Sequence, residues 1–233
     1  PMAEVITKEN YNIYKAEGVI DEMHKQRFRT LFSDDDDSQK WDAAGAGSEP
    51  GDDRDAYDHD DTIYLIERHP ETNDLVASVR FCPTMRPHLM SDVFAEHCSL
   101  AGLQRGPKIW ECSRLVYDRS RMDKKTLFGY VRPRLRLAIV DFCIESGFVE
   151  QIVHIVPEAL YVSTLEIYPD TMMLGPVMPG ADGIPYVAAK SHMNERARDI
   201  MRGLAPDVKD ALTYRRGDTV QAGLGADFAR VAA

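Results

Sequence analysis

"IWECSRLVYD", residues 109–118, decides how this chain is read. Ile109, Trp110, Leu115, Val116 and Tyr117 are large, branched or aromatic, the composition of a strand, yet Glu111 and Arg114 sit in its middle. Charged side chains are rarely fully buried unless paired. Strict alternation would put Trp110, Cys112, Arg114 and Val116 on one face and Glu111, Ser113, Leu115 and Tyr117 on the other, so the two charges would point apart. A β-bulge between them adds one residue, changes the parity and turns both toward one side, as bulges beside active sites do. An edge strand with one charge wetted on each side accounts for the same spacing.

Outward from that strand, the pattern alternates helices and strands. Downstream, Phe128, Val131, Leu135, Ala138, Ile139 and Phe142 recur at helical spacing from about Thr126 to Ser146, with Gly147 as C-cap and Pro133 inside the first two turns, where it costs least. "QIVHIV" (151–156) reads as a short buried strand, and Pro157 opens a helix to about Tyr168. "TMMLGPVM" and "PYVAAKSHM" read as two further strands, followed by a helix near 193–203. Upstream, "TIYLIER" and "DLVASVRFCPT" flank the turn "HPETN" as a hairpin, and "RPHLMSDVFAEHC" reads as a short helix. Residues 11–32 space Tyr11, Tyr14, Ile20, Met23, Arg27 and Leu31 at helical intervals, as one helix or as two interrupted at Gly18. This order predicts a single α/β domain over residues 1–215, a mixed sheet flanked by helices, with a mobile acidic loop at about 33–60 and a flexible tail at 216–233.

Composition narrows the function classes. The 233 residues are 44% hydrophobic, enough for a normal core, and no run of about 18 apolar residues exists to span a membrane. "PMAEVITKEN" has neither a basic start nor an apolar stretch for export, and Cys82, Cys98, Cys112 and Cys143 form no CxxC pair and stand at no metal-ligand spacing. The expected location is therefore the cytoplasm, with no metal. Any of the four thiols is a conceivable nucleophile, though a cysteine in an apolar segment is ordinarily a small core residue. From Asp34 to Asp61 twelve acidic residues face only Lys40 and Arg54, which accounts for the whole net charge of −10. With the rest of the chain balanced there is no basic footprint for nucleic acid. Trp41, an indole in a glycine-rich acidic loop, needs the core or a ligand to pack on.

Taken together, "RFRTLF", Trp41, "RDAYD", "ASVRFCPTMRPHLMSDVF" and "WECSRL" resemble the acyl-homoserine-lactone synthases, the autoinducer synthases of bacterial quorum sensing, over most of residues 20–160. The family pattern is an Arg and a Phe on the N-terminal helix, a Trp, D-x-x-D, an Arg in a strand, a Phe before the core strand, and E-x-x-R. Arg27, Phe32, Trp41, Asp55 with Asp58, Arg80, Phe94, and Glu111 with Arg114 match it in order. Two departures stand out. Arg27 and Phe32 are five apart instead of four, with Arg29 as a rival arginine, and "DDDD" lengthens the interval to Trp41.

The resemblance implies a GNAT-like core, splayed to receive a pantetheine arm, although "DRSRMDKKTLFGY" lacks the glycine pattern with which coenzyme A enzymes of that fold cradle pyrophosphate. It also implies a reaction: an acyl thioester, on an acyl carrier protein or as acyl-CoA, acylates the amine of S-adenosylmethionine, a substrate and not a cofactor. The carboxylate then closes a lactone as methylthioadenosine leaves. On this basis Glu111 is the expected base, with Arg80 and Asp58 beside it in the catalytic set. Arg27, Phe32, Trp41, Asp55, Asp58 and Arg114 are the expected contacts to S-adenosylmethionine, and Phe94 and His154 line the acyl pocket. Arg119, Lys124, Lys125, Arg132 and Arg136 form the densest basic stretch, read as a donor-docking surface or as a solvated helix face. Two competing readings remain at this stage. One is a GNAT-like N-acyltransferase with another amine acceptor, which has no use for the D-x-x-D pair. The other is an inert domain carrying an acidic interaction segment.

Overall fold

The sheet is organised around β3 (Leu75–Pro83), whose residues are buried on both faces. Ala77, Val79 and Phe81 point into one apolar layer, while Ser78, Arg80 and Cys82 point to the other side. A strand covered on both faces loses the apolar–polar alternation of a half-wet one, so "VASVRF" reads almost continuously hydrophobic. The computed structural model describes residues 2–32, 51–216 and 219–222, with backbone alone for Phe32 and 219–222.

Ten strands form one mixed sheet in the order β10-β9-β1-β2-β3-β4-β5-β8-β6, with β7 also paired to β8. They are β1 (Ala3–Ile6), β2 (Ile63–Arg68), β3, β4 (Ile109–Tyr117), β5 (Gln151–Pro157), β6 (Thr171–Met173), β7 (Met178–Pro179), β8 (Pro185–His192), β9 (Leu212–Arg216) and β10 (Thr219–Ala222). Pairing is antiparallel except for β1 with β9 and β4 with β5. The class expected from the sequence, a mixed sheet flanked by helices, is the one found. β1 and β9 carry no signal in the sequence, and β10 lies inside the stretch expected to be a flexible tail, where Thr219–Ala222 pair with Thr213–Arg216.

Helices cover both faces. α1 (Tyr11–Ala16) and α2 (Val19–Phe32) break at Gly18, whose φ of 74° is open to glycine at little cost. They pack Tyr14, Val19, Ile20 and Met23 on Ile6, Tyr64, Ile66 and Leu75. α3 (Leu89–Asp92) and the 3-10 turn Ala95–Cys98 lie on the same side, over Cys82 and Val153. The opposite face carries α4 (Lys124–Thr126), a π turn (Leu127–Val131) and α5 (Arg132–Ser146), one continuous helical rod ended by Gly147 in the left-handed region. Pro133, near the start of α5, cannot donate to the preceding turn, and a π turn is a local way to absorb the missing bond. α6 (Glu158–Ile167) and α7 (Glu195–Leu204) complete that layer, where Phe81 stacks against Phe142 with ring centroids 4.9 Å apart. Among the described residues no helix is long and apolar enough to cross a membrane.

Candidate active site

In the β3–β4 pairing, Ser78 faces Val116 but Arg80 faces Ser113, so two steps along β3 match three along β4. The extra residue is a bulge, and Arg114 within it has φ of 54°. A branched-off side chain in the left-handed region is strained and persists only where its surroundings hold it. The parity change does what the opening stretch required. Trp110, Cys112 and Tyr117 all pack toward the α5 layer, whereas Glu111, Ser113 and Arg114 share the α2–α3 side. The wetted-edge alternative fails: β4 is central, Glu111 is 2% exposed, and Arg114 is buried.

What holds Arg114 is a cluster of three guanidiniums and three carboxylates. Asp53 Oδ2 lies 2.8 Å from Arg27 Nε and 3.0 Å from Arg114 Nε. Asp55 accepts from Arg80 Nη1 at 2.6 Å and from Arg114 Nη2 at 3.1 Å. Asp58 accepts from Arg27 at 3.1 Å and from Tyr64 Oη at 2.8 Å, and lies 3.2 Å from Arg80. The local loop enforces this geometry: Asp55 N–H donates to Asp58 Oδ2 at 2.9 Å and Tyr57 N–H to Asp55 Oδ1 at 2.9 Å. Asp residues bonding to backbone two or three positions away are turn formers, so D-x-x-D here folds its own loop.

Electrostatics follow from burial. Burial alone would raise the Asp58 carboxyl, but Arg27 and Arg80 outweigh it and hold the group well below its usual range. Desolvation pulls both Arg27 and Arg80 down, and their aspartates push them back above the ordinary value. Arg114 is lowered by burial, with Asp53 opposing. His24, one turn before Arg27, has Nδ1 4.0 Å from Asp58, yet burial lowers it to about 4, so it is neutral at physiological pH.

Glu111 stands apart from this cluster. Its Oε2 accepts the backbone N–H of Met90, and Oε1 is buried with no partner. Beyond Glu111 and Val153 the parallel strands β4 and β5 stop pairing, because only Ile109, Trp110 and Glu111 have partners there. The sheet parts, and a cavity of about 1100 Å³, its open mouth included, passes through the gap. Leu89, Met90, Phe94, Glu111 and Arg114 line one side, and Arg136, Ile139, His154, Leu160 and Tyr168 the other. Arg114 and Leu115 have no register partner in either neighbouring strand, and both line this gap.

The sequence-predicted residues distribute as follows. Arg27, Asp55, Asp58, Arg80 and Arg114 meet in the cluster; Glu111, Phe94 and His154 line the cavity. Arg29 takes no part and pairs instead with Asp118 at 3.1 Å. His154 Nε2 meets Ser191 Oγ at 2.8 Å, Ser191 meets Thr171 Oγ1 at 2.6 Å, and Thr171 donates to the Tyr168 carbonyl at 2.6 Å. Since the Thr171 proton is spent on Tyr168 and the Ser191 proton on Thr171, His154 must donate from Nε2, leaving Nδ1 as an acceptor. Burial lowers this imidazole to about 4, so it stays neutral. Arg119, Lys124 and Lys125 are exposed, Arg132 and Arg136 half-buried, and among the described residues none of the five touches a carboxylate. Trp41 and the side chain of Phe32 lie outside the described residues. Burial pushes the Cys82 thiol up to about 12 and also raises Cys98, Cys112 and Cys143, which removes them as nucleophiles. Sequence reasoning missed Asp53, one acid among twelve in its loop, and Tyr64, which reads as an ordinary strand aromatic.

The family described as "Autoinducer synthase" matches residues 10–163. An isovaleryl-homoserine lactone synthase of Bradyrhizobium diazoefficiens is 34% identical over 96 residues, 41% of this chain and 41% of that protein. An acyl-homoserine-lactone synthase of Ralstonia solanacearum is 41% identical over 65 residues, 27% of this chain and 31% of its own length. The matches thus span less than half the length of these curated relatives. The solved structure of a CoA-dependent acyl-homoserine lactone synthase, BjaI, with SAM and isopentyl-CoA shares the fold, with a TM-score of 0.78, 22% identity, and 99% of this chain and 98% of that one covered.

Proposed function

The chain belongs to the autoinducer synthase family, and from that premise we propose that it is an acyl-homoserine-lactone synthase, moving an acyl group from a thioester to the amine of S-adenosylmethionine and closing the lactone with release of methylthioadenosine. One observation carries the reading. A buried carboxylate with a free oxygen, a β-bulge, and the arginine through which a buried arginine–aspartate cluster reaches outward all line one cavity that threads a parted sheet.

Glu111 Oε1 takes a proton from the substrate ammonium, directly or through one water, freeing the nitrogen lone pair. The amine attacks the thioester carbon, whose oxygen gains negative charge facing the amides of Arg114 and Leu115. Collapse breaks the C–S bond. The thiolate leaves with the single proton the nitrogen gives up as it becomes an amide N–H, and the proton held by Glu111 passes to solvent. In the second half the substrate carboxylate attacks the carbon beside the sulfonium, and that C–S bond's electron pair neutralises the sulfur as methylthioadenosine departs. Arg114 orients the carboxylate, Arg80 orients Arg114 through Asp55, and Asp58 fixes Arg27 and Arg80. Phe32 and Trp41 belong to the same substrate site on the family pattern.

The thioester arm enters between β4 and β5. Arg132 and Arg136, with Arg119, Lys124 and Lys125, receive the phosphate that ends a pantetheine arm, whether on coenzyme A or on an acidic carrier protein. Phe94 bounds the acyl group on one side of the sheet and His154 on the other, and the free acceptor on His154 favours an acyl chain that is short or carries a hydroxyl. The working unit is the 1–215 domain, acting in the cytoplasm; most of the expected acidic loop, residues 33–50, lies outside the described residues.

Purified protein given S-adenosylmethionine and a panel of acyl-CoA and acyl-carrier-protein thioesters should release methylthioadenosine together with an acyl-homoserine lactone, read by mass spectrometry of the organic extract. Release with only one donor class identifies the carrier. Folded protein that releases none with any donor returns the assignment to an N-acyltransferase of another amine.

A further inference from the structure

Phe94 lines two hollows. It bounds the large cavity beside Leu89 and Met90, and it also bounds a second hollow of about 570 Å³, its open mouth included. The second is walled by Val93, His97, Pro179, Ala181, Asp182 and Tyr186. The two lie side by side: Tyr186 of the second faces Pro157 across the β5–β8 ladder, and Pro157 lines the first. Among the described residues no other belongs to both walls, so the side chain of Phe94 is the partition between them.

The partition is braced. The Phe94 ring meets the His97 ring edge-on, with centroids 5.3 Å apart, and lies 6.4 Å from the ring of Tyr186. The Phe94 carbonyl accepts the His97 N–H at 3.1 Å, at the start of the 3-10 turn Ala95–Cys98. That turn is itself pinned. The Leu174 carbonyl accepts from Leu100 N–H at 3.0 Å and from Ala101 N–H at 2.9 Å, and Gly175 passes so near that a Cβ there would collide with the His97 carbonyl. With the backbone fixed on this side, the bulk of the ring is what separates the two spaces.

The second hollow offers hydrocarbon no opposing charge. Val93, Pro179, Ala181 and Tyr186 give it an apolar lining. The Asp182 carboxylate is engaged, accepting from Tyr186 Oη at 2.7 Å and from Ile184 N–H at 3.0 Å. His97 is buried and neither ring nitrogen has an aligned hydrogen bond; burial lowers the imidazole, with the Met178 carbonyl opposing, so it is neutral at physiological pH. Glu111 and the arginines of the cluster do not line this hollow, so its contents would bear on fit and not on proton transfer.

We propose that Phe94 sets the length of acyl chain that the site accepts: its ring stops the chain in the first cavity, and the hollow behind it is the space that the tail of a longer chain fills once the ring is cut back. The proposal rests on the acyl-homoserine-lactone synthase reading.

Straight-chain thioesters from butanoyl to dodecanoyl, on whichever carrier the wild type accepts, test it, with kcat/KM for lactone formation read by mass spectrometry. Each methylene that gains the hollow is worth about fourfold, so Phe94→Ala should raise the octanoyl-to-butanoyl ratio by about a hundredfold. Phe94→Leu, which keeps more of the bulk, should move the ratio the same way by a smaller step, and stands in if Phe94→Ala fails to fold. Ala181 is exposed at the far wall, and Ala181→Trp added to either variant should fill the hollow and bring the ratio back toward wild type. A folded Phe94 variant whose ratio is unshifted, or that loses every chain length alike, would overturn the proposal, as would a double variant that keeps the long-chain preference. Wild-type protein that forms no lactone from any thioester would instead sink the synthase reading, whereas an active wild type with an unshifted Phe94→Ala ratio sinks this proposal alone.

Discussion

On one face of the sheet Arg27, Arg80 and Arg114 interlock with Asp53, Asp55 and Asp58; on the other, Glu67 of β2 meets only Arg134 of α5. Both groups of charges are buried, yet they behave in opposite ways. In the cluster nearly every carboxylate oxygen has a donor, and Asp58 is held ionised against its own burial. Across the sheet, neither oxygen of Glu67 receives an aligned hydrogen bond although the guanidinium touches it, and part of Arg134 is drawn to the Tyr130 ring, 4.4 Å away. Burial then wins over Arg134 and pushes Glu67 up to about 8. The contrast teaches that a single buried pair does not keep its charge, whereas a lattice in which each carboxylate serves two arginines does. The proposed function needs the second arrangement, since S-adenosylmethionine, with its three charges, would have to meet groups whose ionisation does not drift.

Breaking the lattice should have the largest effect. Arg80→Ala takes from Asp55 and Asp58 one of the two buried arginines each serves, leaving them with Arg114 and Arg27 alone, and is expected to cost about 3–5 kcal/mol of stability together with all activity, measured by urea unfolding and methylthioadenosine release. Glu111→Gln sharpens the comparison from within the site. It touches no arginine, so turnover should fall roughly 10²- to 10⁴-fold while the unfolding midpoint stays near wild type; a large loss of stability would mean that Glu111 is structural.

The isolated pair gives the next effect, and its sign is opposite to the cluster's. Because burial raises Glu67 in the folded state from an ordinary 4.5 to about 8, its contribution is fully present below 4.5 and is lost as pH rises through 8, a few kcal/mol at most at about 1.4 kcal/mol per unit. Asp58, lowered below 3.8, contributes above that value and loses its contribution as pH falls. Unfolding midpoints at pH 5 and 8 should therefore fall for wild type more than for Glu67→Gln, and equal slopes would refute the assignment. The smallest effect belongs to the basic stretch along the helical rod. Arg132→Ala should raise the KM of the acyl donor several-fold at low salt, with the difference shrinking as ionic strength rises.

Much of this was legible in the residues, for reasons that differ by element. The bulge was readable because alternation is a strict rule, and a strand carrying Glu111 and Arg114 three apart can place both on one face only by breaking it. The helix from 124 to 146 and its stop at Gly147 follow from periodicity sustained over many turns. β1 and β10 escaped because four residues are too few for a period to register, and their strand state is imposed by neighbours far away in sequence. Asp53 escaped for the opposite reason: in a run of acids nothing local separates the one that bridges Arg27 and Arg114 from those that meet solvent. The E-x-x-R and D-x-x-D spacings named Glu111, Arg114, Asp55 and Asp58, but not that the second pair would brace arginines with all its oxygens.

β1 lies between β2 and β9, and Ala3 pairs with Leu212. On a ribosome, which releases the chain from its N-terminus, β1 can pair with β2 early but keeps its other edge bare until residues 212–216 have emerged. An uncovered edge during synthesis invites pairing with a neighbouring nascent chain. The half of the sheet that holds the arginine lattice thus closes last, and the catalytic pocket is assembled on a scaffold whose final rung arrives with residues translated long after the active-site strand itself.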